Sequence, residues 1–103
     1  MEYDDGQSGQ VFDAAADRAV ELGNRLLEEY PEADAWEVAS GLLAGAIHFW
    51  LYTRQPCGDP GCESCASVSD ADLRLKQLFD EVRQSAEESS YYHSPTDRNA
   101  GTA

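Results

Sequence analysis

Basic residues are scarce in this chain, with seven Lys and Arg against twenty Asp and Glu over 103 residues, a formal net charge of −13. Nucleic acid and anionic lipid surfaces would both repel it, so neither is an expected partner. A basic protein partner, or none, suits the charge. The excess is spread out: Glu2, Asp4 and Asp5 open the chain, and no long acidic run follows. That is the pattern of a solvated surface rather than of a protein imitating the charge of DNA.

Long apolar runs are missing too. The most apolar window, residues 38–52 (VASGLLAGAIHFWLY), falls short of a membrane span, carries His48 and is flanked by Glu37 and Arg54. The first residues are acidic and hold no apolar signal segment, so we expect a cytoplasmic protein with reduced thiols. No stretch alternates β-branched with polar residues around a hairpin turn, which leaves an all-α fold. Internal repeats are lacking. No Ser-His-Asp set, phosphate-binding glycine loop or carboxylate pair stands out, so we expect no enzyme.

Three amphipathic segments are present. The first runs from about Ser8 or Gln10 to Tyr30. Phe12, Ala15, Ala19, Leu22, Leu26 and Tyr30 recur at three- and four-residue steps, Val20 and Leu27 widen the stripe, and Pro31 ends it. Glu21 and Arg25 can pair on the wet face. The second segment starts at Asp34, a capping residue with Glu37 three positions on, and runs to about Thr53, before Pro56. Trp36, Val38, Leu42, Leu43, Ile47, Phe49, Trp50, Leu51 and Tyr52 point nearly all the way round it. A helix of that kind is central in its domain or buried in an oligomer, so a homodimer through it is one expectation. Gly41 and Gly45 share a face that could admit a neighbouring helix. The third segment starts at Ser69, with Asp72 three residues on and Val68 and Leu73 as a staple, and frays near Glu88. Leu75, Leu78, Phe79, Val82 and Ala86 form its stripe, and Lys76–Asp80 and Arg83–Glu87 are spaced for ion pairs.

These segments predict a small three-helix antiparallel bundle spanning residues 10–88, with a flexible acidic N-terminus (1–9) and a flexible tail (89–103). About 80 residues then build the core, a size at which a cross-link helps. Trp36, Trp50 and Tyr52 are the candidate partner-binding residues, on the ground that three helices leave some aromatic surface uncovered. Packing in the core is the ordinary alternative for them. Tyr91 and Tyr92 could cover that patch or bind a partner.

The connection from Arg54 to Val68 is long for a bundle, and it holds all three cysteines in CGDPGCESC, residues 57–65. Cys62-x2-Cys65 is the spacing of a chelating zinc pair, and Cys57 supplies a third thiolate. Gly58, Pro60 and Gly61 allow tight reversals. The fourth ligand must come from elsewhere, and His48 is the first candidate. It lies about 7 Å of helix rise before the end of its segment, a distance that four extended residues can retrace. His93 is second, and Asp59, Glu63, Asp70 or water are weaker. A histidine in an apolar helix is more often a hydrogen-bonded core group, and three cysteines can be small buried hydrophobes. The spacing also matches three ligands of a plant-type ferredoxin, which needs a fourth cysteine this chain lacks. A Cys62–Cys65 redox or metal-handling pair is a further alternative, although acidic surroundings are expected to raise its thiol pKa. The primary expectation is a protein that holds a structural zinc at Cys57, Cys62, Cys65 and His48 and works through protein contacts. A metal-free acidic adaptor or inhibitor of a basic partner is the second.

Overall fold

A computed structural model describes residues 5–59 and 61–97. Three α-helices and one short 3-10 helix make up the regular structure, and no strand occurs among the described residues: α1 (Asp5–Glu29), α2 (Ala35–Thr53), η1 (Glu63–Val68) and α3 (Ala71–Glu88). The chain divides into two units, residues 1–50 and 51–103, each described on its own. The expected flexible ends fall partly outside the described residues, at 1–4 and 98–103.

The first unit is a helical hairpin. α1 begins at Asp5, about a turn before the expected start. Its apolar stripe gives no sign of this, because residues 5–10 are polar or glycine and carry no periodicity. The reversal falls where Pro31 requires it, with the Tyr30 amide donating to Leu26 O (2.9 Å) and the Ala33 amide to Tyr30 O (2.9 Å). Asp34 then caps α2 as expected, its Oδ1 accepting from the Trp36 amide at 3.0 Å. Ala19, Leu22, Leu26 and Tyr30 of α1 and Val38, Leu42, Gly45 and Ala46 of α2 line a cleft of about 620 Å³ between the two helices.

Gly23, a position the sequence pattern does not single out, faces a side chain of α2. A Cβ placed there would stand 3.0 Å from Leu42 Cδ1. Gly41 and Gly45, the expected approach points, face open space instead. None of the residues of α2 is buried. Trp36 is 83% exposed and Leu43 55%.

The second unit joins the last turn of α2 to η1 and α3. Leu78 on α3 is the one buried hydrophobic residue among those described. α3 starts one residue later than expected, because Asp70 and not Ser69 is the cap; its Oδ1 accepts from the Leu73 amide at 2.9 Å. Asp70 has the extended backbone a cap requires, whereas Ser69 is still helical as it closes η1. The expected Lys76–Asp80 pair forms at 3.4 Å on a wet face. α3 ends at Glu88, and residues 89–97 form turns through Tyr92 N to Ser89 O and Asp97 N to Ser94 O.

Candidate metal centre

The cysteine loop is held at both ends. At its start, Arg54 reaches Glu81 on α3 (Nη2 to Oε1, 3.6 Å), and the Gln55 amide side chain donates to Leu51 O at 3.0 Å. At its end, Arg74 Nη1 donates to Val68 O at 2.8 Å and ties η1 to α3. Two arginines of the loop and α3 therefore bracket the segment that carries the thiols.

Between those anchors the backbone turns sharply. Gly58 has φ +95°, a conformation that only glycine adopts without strain. Asp59 organises the next turn: its Oδ1 accepts from the Gly61 amide at 3.0 Å and its carbonyl from the Cys62 amide at 3.0 Å. Pro60, expected to help this reversal, lies outside the described residues. η1 follows directly from Cys62 and carries Cys65 on its first turn. Two 3-10 turns are too short to leave a periodic signature, which is why the sequence reads as plain loop there.

The result is convergence of all three sulfurs. Cys57, Cys62 and Cys65 are free thiols whose Sγ atoms lie within 4.8 Å of one another. Around a zinc ion with Zn–S of ~2.3 Å, tetrahedral sulfurs stand about 3.8 Å apart, so adjustments of about 1 Å close the group on an ion. Cys57 is exposed and the other two are half-buried.

Hydrogen bonds already address the sulfurs. The Cys57 amide donates to Cys65 Sγ at 3.4 Å, and Ser64 Oγ stands 3.2 Å from Cys62 Sγ. The Ser64 hydroxyl, aided by Cys65 and Cys57, lowers the Cys62 thiol to about 6. This corrects, for Cys62, the expectation that the thiols of the pair are raised. Direct hydrogen bonds to this sulfur outweigh its desolvation. Cys65 moves the other way. The Cys57 amide pulls it down, but the Cys62 and Cys57 thiols beside it and its partial burial prevail, so it stands above the usual thiol range.

Of the other expected ligands, none joins the sulfurs within this unit. His93 sits in the turn after α3, with Nδ1 4.0 Å from Asp97 Oδ2 and its ring edge-on to Tyr92 at 4.8 Å. Asp59 and Asp70 each commit a carboxylate oxygen to a backbone amide. His48 stands exposed on α2, in the hairpin unit. It is not the buried histidine that an apolar helix suggests. Trp36 and Tyr52 are exposed and Trp50 is half-buried.

No helix among the described residues is long and apolar enough to cross a membrane. Comparison with protein-family models, with curated proteins and with solved structures gives no match.

Proposed function

We propose that the protein is a small acidic helical interaction module whose cysteine loop is shaped by one zinc ion. The convergence of three free sulfurs within 4.8 Å carries this reading. Thiolates select soft and borderline ions, and three thiolates with a fourth ligand of another kind are a common structural zinc set. The ion's role here is structural. It fixes the connection between α2 and α3, which a bundle of this size stabilises poorly by apolar burial alone. With that connection fixed, α3 serves as the third helix of an antiparallel bundle. His48 is the candidate fourth ligand, with His93 next. The surface the fold then presents, including Trp36, Trp50 and Tyr52, is where a protein partner binds. The reading places the protein in the cytoplasm and gives it no catalytic step.

Elemental analysis of protein purified without added metal tests the proposal, followed by thermal melts with and without a strong chelator. One zinc per chain and a chelator-dependent melt are the expected results. A metal-free chain whose melt ignores the chelator would overturn it and leave an acidic adaptor for a basic partner. His48→Ala and His93→Ala then locate the fourth ligand through the visible spectrum of the cobalt-substituted protein.

A further inference from the structure

Holding an ion is one use of three neighbouring sulfurs, and bonding two of them to each other is another. Three pairs are possible among Cys57, Cys62 and Cys65, whose Sγ atoms all lie within 4.8 Å of one another. The backbone does not treat the three pairs alike.

Cys62 and Cys65 are separated by Glu63 and Ser64, and both of those residues lie in η1. In a 3-10 helix the rise is ~2.0 Å per residue and side chains three apart eclipse, so the two Cα atoms stand about 6 Å apart with their sulfurs on one side. A disulfide spans Cα atoms about 4.4–6.8 Å apart. Rotation about χ1 of the two cysteines therefore brings the sulfurs to the ~2.05 Å of a bond while the backbone stays where it is. Cys57 meets the pair differently. Its backbone amide faces Cys65 Sγ, at 3.4 Å. Its approach is set by Gly58 at φ +95° and by the Asp59 turn, in which the Gly61 and Cys62 amides are both engaged. Bonding Cys57 to either neighbour pulls on that turn. None of the three cysteines is buried, so a small oxidant reaches them.

We propose that Cys62 and Cys65 are a site of reversible oxidation, closing a disulfide when a hydroperoxide reaches the loop and displacing the ion as they do so. One thiolate of the pair attacks the outer oxygen of the peroxide. The S–O bond forms, the O–O bond breaks, and the alkoxide or hydroxide leaves with the electron pair and takes a proton from water. The second thiolate attacks the sulfenic sulfur, the S–S bond forms and hydroxide leaves. Two sulfurs are oxidised by one electron each, and one peroxide is reduced by two. Only a thiolate ligates metal, so Cys57 is then the one sulfur ligand left and the ion passes to solvent. A dithiol reductant reverses the reaction and restores the site. Loss of the ion rests on the zinc reading above, whereas the choice of pair rests on η1 alone.

One equivalent of hydrogen peroxide added to the reduced, zinc-loaded full chain tests it. The expected results are one zinc per chain released to a chromogenic chelator, a protein mass lower by two hydrogens, and differential alkylation that marks Cys57 as the free thiol. Dithiothreitol and fresh zinc should return the starting state. Cys57→Ser should close the same bond with the same equivalent of peroxide. Cys62→Ser and Cys65→Ser should close an internal bond more than about 10-fold more slowly, because neither remaining pair has its Cα atoms set by η1. Sulfenic or sulfinic acid that never condenses to a disulfide, or alkylation that finds Cys57 in the bond, would overturn the proposal. A zinc-loaded chain that keeps its ion and all three thiols removes this inference alone. A chain that carries no zinc at the start removes the zinc reading, and alkylation of that same chain after peroxide still decides the pair.

Discussion

The hairpin unit and the cysteine unit solve local structure in opposite ways. The hairpin is two long helices and a five-residue reversal, held by backbone hydrogen bonds and one aspartate cap. Its regularity is high, yet none of α2 is buried. The cysteine unit is less regular, yet it contains the buried Leu78, two arginine ties and three converging sulfurs. The contrast teaches that regular backbone and completed structure are separate matters. The hairpin has satisfied its backbone and still lacks apolar cover. The loop has gathered its sulfur groups through two arginine ties and local hydrogen bonds.

Removing a sulfur presses this contrast hardest. Cys62→Ser or Cys65→Ser leaves two thiolates and should weaken zinc binding by more than about 100-fold, beyond the ~10–100-fold typical of residues that only orient ligands. Amide resonances of residues 55–68 should collapse toward unfolded positions while those of α1 stay put. Collapse of both sets together would mean that the units are not energetically separate. Ser64→Ala keeps all three sulfurs and removes only the hydroxyl beside Cys62, so its loss of affinity should fall near ~10-fold.

A matched leucine pair sharpens the comparison from the apolar side. Leu78→Ala should destabilise the chain by about 2–3 kcal/mol in a denaturant titration, at the low end for a leucine because its surroundings are thinly packed. Leu43→Ala removes an exposed side chain and should cost less than ~0.5 kcal/mol in the isolated chain. A concentration-independent loss at Leu43 as large as that at Leu78 would mean that both belong to one core.

The same contrast governs what could be read from residues alone. Pro31, the Asp34 cap, the Lys76–Asp80 pair and the end at Glu88 are all legible, because each depends on chemistry within a few residues. The sulfur convergence is legible for the same reason, since glycine and close spacing confine it to nine residues. Ser69 and Asp70 are both good caps, and which one is used depends on η1, whose six residues carry no pattern. Gly23, Gly41 and Gly45 look alike in sequence, and only the opposite wall distinguishes them. His48 sits in an apolar run and is nevertheless exposed, because its side of α2 lies off the face that meets α1.

Cap removal gives a smaller and evenly split effect. Asp34→Ala and Asp70→Ala each leave the amide of an N-terminal helical residue without its side-chain partner, at 3.0 Å for Trp36 and 2.9 Å for Leu73. Each should cost about 1 kcal/mol. Asp70→Ala should also loosen the ion site, since the cap fixes where η1 hands over to α3. Asp34→Ala should leave zinc affinity unchanged. Equal effects on zinc would break the division between the units.

The smallest effects come from the glycines, and their order discriminates between packing arrangements. Replacing a mid-helix glycine by alanine favours the helix by roughly 0.8–1 kcal/mol. At Gly41 and Gly45 the new methyl meets nothing within 4 Å, so both substitutions should raise stability by close to that amount. At Gly23 it meets Leu42 Cδ1 at 3.0 Å. That atom is the end of a side chain bordering an open cleft, so it can yield by a few tenths of an ångström, and a net gain below ~0.5 kcal/mol is expected. If Gly41→Ala and Gly45→Ala instead destabilise the chain while Gly23→Ala is neutral, a helix packs against the glycine face, and the cleft is where the hairpin finds its cover.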